Sequence, residues 1–169
     1  ATGAPAPACQ IDIQNPCRYP DVGVRALRPL VSRAVAELAP AASSFVLRFI
    51  SDREMRRLNG TYRSKDRPTD VLSFPGDISA ANAPGAAAPG EVDLESFWRD
   101  GRHLGDVAIS MPAARRQAAE QGIPVDREIR VLALHGILHC LGYDHESDNG
   151  EMENLEQKLR RRFIDGVDR

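Results

Sequence analysis

Three of the chain's four histidines fall in one run of eleven residues, His135-Gly136-Ile137-Leu138-His139-Cys140-Leu141-Gly142-Tyr143-Asp144-His145. Their spacing, H-x3-H-x5-H, is that of a metal site. On a helix His135 and His139 share a face, with Cβ atoms roughly 5–6 Å apart, so two imidazoles can grip one ion. Gly142 can end that helix in a left-handed conformation that a side chain would resist. The chain then turns back and delivers His145 as a third ligand. Three imidazoles leave a fourth position for water, which is a catalytic zinc arrangement. Nickel, copper and iron also accept imidazole, so zinc is the preferred ion and its identity stays open. Zinc brings the pKa of bound water to about 7, and the target is then a carbonyl or a phosphoryl group.

The neighbours of the histidines divide into several readings. Cys140 follows His139 directly, but one helical step turns about 100°, so its thiol points away from the pair and it reads as a small buried hydrophobe. Glu128 lies two turns before His135 on the same stripe. It is either an acceptor that orients an imidazole or a solvated carboxylate at a helix start. Asp144 serves the turn or supports the ligands from behind. The run also follows the metzincin pattern H-E-x-x-H-x-x-G-x-x-H, with one departure: Gly136 stands where a peptidase carries its general-base glutamate. Met152 falls in a predicted helix, so no Met-turn follows.

A second charged block runs from Leu58 to Asp70 and holds Arg63, Lys65 and Arg67 in a loop that feeds a strand. Arginine presents a fork that matches phosphate oxygens. A solvated basic loop is the plain alternative.

The elements that must position these groups follow from periodicity. Gln10–Gln14 reads as a first strand and Val24–Leu38 as an amphipathic helix stopped by Pro40. Phe45–Ile50 is a strand. Ser51 with Glu54 forms a capping box that opens a short helix ending at Asn59-Gly60. Thr69–Phe74 is a strand ended by Pro75-Gly76, and residues 78–90, rich in Ala, Pro and Gly, form an exposed loop. Leu104–Ser110 is a strand, and Met111–Gln121 a helix closed by Gly122 and Pro124. Val125–Leu141 is a helix apolar nearly all round except for the stripe of Glu128, His135 and His139, so it is buried. Met152–Phe163 is an amphipathic closing helix. About four strands and four or five helices predict an α/β or α+β fold, a small mixed four-stranded sheet packed with about five helices and carrying a metzincin-like metal helix.

With 169 residues the chain has the size of one domain. Residues 1–9 read as a disordered lead-in and 10–169 as a single domain. The start resembles no signal peptide and no apolar run is long enough to span a membrane. Three cysteines make no disulfide framework and point to a reducing, cytoplasmic setting. A net charge of −2 gives no global attraction to nucleic acid, so any such contact rests on a local basic patch.

His135-Gly136-x-x-His139-x-x-Gly142-Tyr143-Asp144-His145 resembles the signature of the YbeY endoribonucleases. Leu58-Asn59 through Tyr62-Arg63, Lys65-Asp66 and Thr69 to Pro75 resemble a second block of that family, and Leu104-Gly105-Asp106 a third. The resemblance implies an α/β fold and one zinc on His135, His139 and His145. It further implies a metal-dependent endonuclease for single-stranded RNA, acting in 3′-end maturation of small-subunit ribosomal RNA and in ribosome quality control. Its partners would be ribosomal RNA, the small ribosomal subunit and its assembly factors. The family's functional arginine maps onto Arg63, and Lys65 is a candidate helper. Cys140 departs from a common leucine, and the Ala/Pro/Gly-rich stretch before Leu104 is longer than in many relatives.

On this reading the metal organises attack on a backbone phosphodiester while Arg63 neutralises charge on the phosphoryl oxygens. The nucleophile is water or the RNA 2′-hydroxyl. His103, the one histidine outside the ligand set, weakly favours water. The contact face would gather Arg53, Arg56, Arg57, Arg63, Lys65 and Arg67, with Arg115 and Arg116 beside them. The rivals are a zincin-type peptidase and a non-catalytic ribosome-assembly factor whose zinc only staples the fold.

Overall fold

The computed structural model describes residues 8–63, 69–77, 102–144 and 149–166, the side chains of 62 and 63 excepted. The expected loop at 78–90 and residues 1–7 of the lead-in lie outside that set. The elements are β1 (Gln10–Gln14), α1 (Val24–Leu38), β2 (Ser44–Ile50), α2 (Asp52–Arg63), β3 (Val71–Pro75) and β4 (His103–Ser110). They continue with α3 (Met111–Gln121), α4 (Val125–Cys140), α5 (Glu151–Leu159) and a π-helical turn, Arg160–Ile164. This is the mixed architecture that the sequence pattern predicts.

The sheet order is β1-β2-β4-β3. β1, β2 and β4 are parallel, and β3 closes one edge antiparallel to β4. Strand alternation sends Phe45, Leu47 and Phe49 of β2 to one face, where they join Val107 and Ile109 of β4 and the apolar sides of α1 and α4 in the main core. On the other face Ile50, Leu72 and Ala108 make a smaller cluster with Met55 of α2. Two helices therefore cover one face and α2 covers part of the other.

Several boundaries differ from those predicted. α2 runs through Asn59-Gly60 to Arg63. A helical glycine costs about 1 kcal/mol, but Met55 and Asn59 are fully or almost fully buried on this helix, and burial outweighs the local stop signal. Arg63 consequently ends a helix rather than lying in a loop. Half of the capping box forms: Ser51 Oγ accepts from the Glu54 N–H at 3.2 Å, while the Glu54 carboxylate accepts two bonds from Arg57. β3 begins at Val71 because Asp70 Oδ1 takes the Val71 N–H. Pro75 belongs to the strand, as an edge position permits. The closing helix widens after Leu159 into the π turn, where the Asp165 N–H reaches the Arg160 carbonyl.

α4 sits at the centre of this arrangement, against α3, β3, β4 and α5. It ends as the sequence predicts. Gly142 has φ 95°, its N–H donates to the His139 carbonyl, and the Tyr143 N–H donates to that of Leu138. That pair of bonds is a Schellman motif, which satisfies two otherwise orphaned carbonyls.

Candidate metal centre

His135 and His139 stand one turn apart near the C-terminal end of α4, both partly exposed on a helix that is otherwise mostly buried. Their rings meet edge to face, with centroids 4.5 Å apart. Their Nε2 atoms converge to 2.9 Å. The other nitrogen of His135 is already engaged, since Nδ1 lies 3.1 Å from Glu156 Oε2 on α5. A carboxylate can only accept from an imidazole, so it holds the His135 proton on Nδ1 and leaves Nε2 as a lone-pair donor. Two bare nitrogens at this distance repel unless a proton or a cation lies between them. Tetrahedral zinc, with bonds of 2.0–2.1 Å, separates two nitrogen ligands by roughly 3.3 Å, so a small movement of the rings accommodates it. The donor set therefore fits the metal that the sequence predicts. His145 lies outside the described residues. Among those residues no group of three histidine, cysteine or carboxylate side chains is set to hold a metal, and the fit rests on the pair.

Glu156 is the functional residue that sequence reading missed. Its side chain is 5 % exposed, and it also accepts from Arg160 Nη2 at 2.5 Å. Burial alone would raise its pKa, but hydrogen bonds from His135 and Arg160 prevail and hold it down at about 2. It stays ionised and acts as a fixed acceptor behind His135. A signal for it existed. Met152, Glu156, Leu159 and Phe163 share one buried stripe, and a carboxylate on an apolar stripe needs a partner.

Glu128 takes neither of its two predicted roles. It is 4 % exposed rather than solvated, and the acceptor on His135 is Glu156. Burial first, then the nearby Asp70 carboxylate, push its pKa up. Cys140 behaves as predicted: it is fully buried and turned toward β4, with its sulfur 2.7 Å from where a Cβ on Gly105 would stand. Burial pushes its thiol up to about 12. Asp144 is exposed at the turn.

Gly136 explains the missing peptidase base. A Cβ there would come within 2.5 Å of Val107 Cγ1, and the Gly136 carbonyl accepts from Ser73 Oγ of β3 at 3.1 Å. α4 lies too close to the sheet at this point for a glutamate side chain, which disfavours peptide hydrolysis of the zincin kind.

The expected basic face divides. Arg115 makes two 2.7 Å bonds to Asp21 and Arg116 pairs with Asp52, so each of these cations has a carboxylate partner within the fold while its side chain stays in part exposed. Arg53 and Arg56 are exposed on α2. The side chain of Arg63, and Lys65 and Arg67 entirely, lie outside the described residues. His103 bridges Ser44 Oγ at 2.7 Å and Asp106 Oδ1 at 3.1 Å. It ties two strands together at the sheet end and is not joined to the α4 pair.

A family model described as Endoribonuclease YbeY matches residues 15–164. The Endoribonuclease YbeY of Nautilia profundicola is 44% identical over 108 residues, which are 64% of this chain and 63% of that protein. The Nitrobacter hamburgensis protein of the same name is 35% identical over 93% of this chain and 79% of its own length. In fold the chain is similar to TM1509 from Thermotoga maritima, with a TM-score of 0.59 and 22% identity over 94% of this chain and 91% of that one.

Proposed function

The chain belongs to the YbeY endoribonuclease family, and we propose that it is a zinc-dependent endoribonuclease that cuts single-stranded RNA. Its substrate on this reading is the 3′ region of small-subunit ribosomal RNA, met on the small ribosomal subunit with its assembly factors and in ribosome quality control, in the cytoplasm. No helix among the described residues is long and apolar enough to cross a membrane. The observation that carries the reading is the convergence of two imidazole Nε2 atoms whose geometry is fixed from behind by a buried, ionised carboxylate.

His135, His139 and His145 would hold the ion. Bound zinc supplies Lewis acidity toward a phosphoryl oxygen and acidifies water. The chain's own residues do the rest. Glu156 keeps the His135 proton on Nδ1 and the ring oriented. Arg63, at the end of α2, neutralises charge that builds on the phosphoryl oxygens, with Lys65 assisting; such preorganised charge is usually the largest catalytic contribution.

The test pairs metal analysis with cleavage of single-stranded and duplex RNA on the same samples. Arg63→Ala is expected to lose cleavage while keeping zinc content and folding; unchanged cleavage would refute its role. A product ending in a 2′,3′-cyclic phosphate would identify the RNA 2′-hydroxyl, rather than water, as nucleophile.

A further inference from the structure

We propose that Asp70 and Glu128 form a second cation site, distinct from the histidines, that takes a hydrated hard divalent ion, Mg²⁺ or Mn²⁺. Both line one cleft of about 410 Å³ between the start of β3 and helices α3, α4 and α5, with His135 on its wall.

Glu128 is the first ground. It is 4 % exposed and lines the cleft. Among the described residues no hydrogen-bond donor or ion-pair partner within 4 Å meets it. An ionised carboxylate withdrawn from water costs several kcal/mol unless something offsets the charge. The raised pKa of Glu128 is the same cost seen from the proton side.

The charge balance of the cleft is the second ground. Its two guanidiniums have nearer partners: Arg160 binds Glu156 and Arg127 binds Asp165. Glu156 in turn meets His135. Both guanidiniums act on Glu128 from a distance, but burial and the Asp70 carboxylate outweigh them, so the charge of the two carboxylates is only partly offset. Asp70 is held in place by Gln117 Nε2 at 3.1 Å on Oδ2 and by the Val71 N–H on Oδ1. A rigid carboxylate facing a buried one is a donor pair of the kind Mg²⁺ uses, since it binds through one or two carboxylates and keeps several waters. Six waters at about 30 Å³ each occupy about 180 Å³, which the cleft accommodates.

The site is not half of a two-metal clamp. Such ions stand 3.5–4 Å apart, whereas Glu128 and His135 are separated by seven residues of helix, a rise of about 10.5 Å. If the chain cuts RNA as proposed above, this cation holds a phosphate next to the scissile one. The site itself stands whatever the histidines bind.

The test titrates Mn²⁺ into zinc-loaded protein and reads bound metal by electron paramagnetic resonance. Wild type is expected to take up one Mn²⁺ per chain. Glu128→Gln and Asp70→Asn, which keep shape and remove charge, are each expected to weaken it by about tenfold or more, with zinc content and thermal midpoint retained. His139→Ala should lose zinc yet keep the Mn²⁺ site, which separates this proposal from the zinc reading. The proposal is overturned if zinc-loaded wild type takes up no Mn²⁺, if both carboxylate variants bind it as wild type does, or if His139→Ala abolishes it.

Discussion

On the side of α4 that meets the sheet, Gly136 lies so near β4 that an added Cβ would stand 2.5 Å from Val107, and Cys140 one turn on is fully buried. About 100° round the same helix, His135 and His139 turn their nitrogens toward each other and toward partial exposure. The first side is shaped by contact distance and by one hydrogen bond, from Ser73 to the Gly136 carbonyl. The second is shaped by donors and acceptors, and its order comes from a carboxylate on another helix. Interiors are packed at crystal density, so the sheet side supplies the rigid backing against which the two Nε2 atoms converge to 2.9 Å.

That contrast breaks most sharply at the ligands. His139→Ala is expected to cut RNA cleavage by more than about 100-fold, because loss of a supporting group alone costs 10–100-fold. The unfolding midpoint in chelator should barely change. A variant that lost cleavage only in proportion to lost folded protein would show that the two sides are not separable. Glu156→Gln is expected to weaken zinc binding by about 10–100-fold, measured by competition with a chromophoric chelator, since a neutral amide no longer fixes the His135 tautomer.

The sheet side should respond in the opposite sense. Gly136→Val overpacks against Val107 and is expected to cost about 1–3 kcal/mol, about 2–4 °C in midpoint for each kcal/mol, with zinc per folded molecule unchanged. Loss of zinc without loss of stability would reverse the assignment of the two sides.

The smallest effect lies away from both. Asp21 and Asp52 are held below the usual carboxylate range chiefly by hydrogen bonds from Arg115 and Arg116. A carboxyl whose folded pKa is depressed adds stability above its unfolded value, and that stability is lost as pH falls through the folded one. These pairs are partly exposed and screened by solvent, so the contribution of each is small. Asp21→Asn should flatten the decline in stability on acidification below about pH 4, and an unchanged acid profile would remove Asp21 from the account.

Much of this was legible in the chain. Val24–Leu38, Met111–Gln121 and the metal helix appear at or within one residue of their predicted bounds, because apolar spacing and terminal glycines act locally. α2 escaped its predicted stop at Asn59-Gly60 because burial outweighed a weak local signal. The burial of Glu128 is not legible in the sequence, because a stripe of polar residues on a helix does not say which neighbour will cover it.

The sequence alone determined the histidine pair and the turn after it, since helical geometry fixes residues four apart and a left-handed glycine ends the run. Only the tertiary structure decided that Glu156, 21 residues on from His135, stands behind that ring, that Asp70 and Glu128 line one cleft, and that a Cβ on Gly136 would press on Val107. Those relations depend on how separate elements dock, and docking is set by the shapes of whole faces rather than by spacing along one segment.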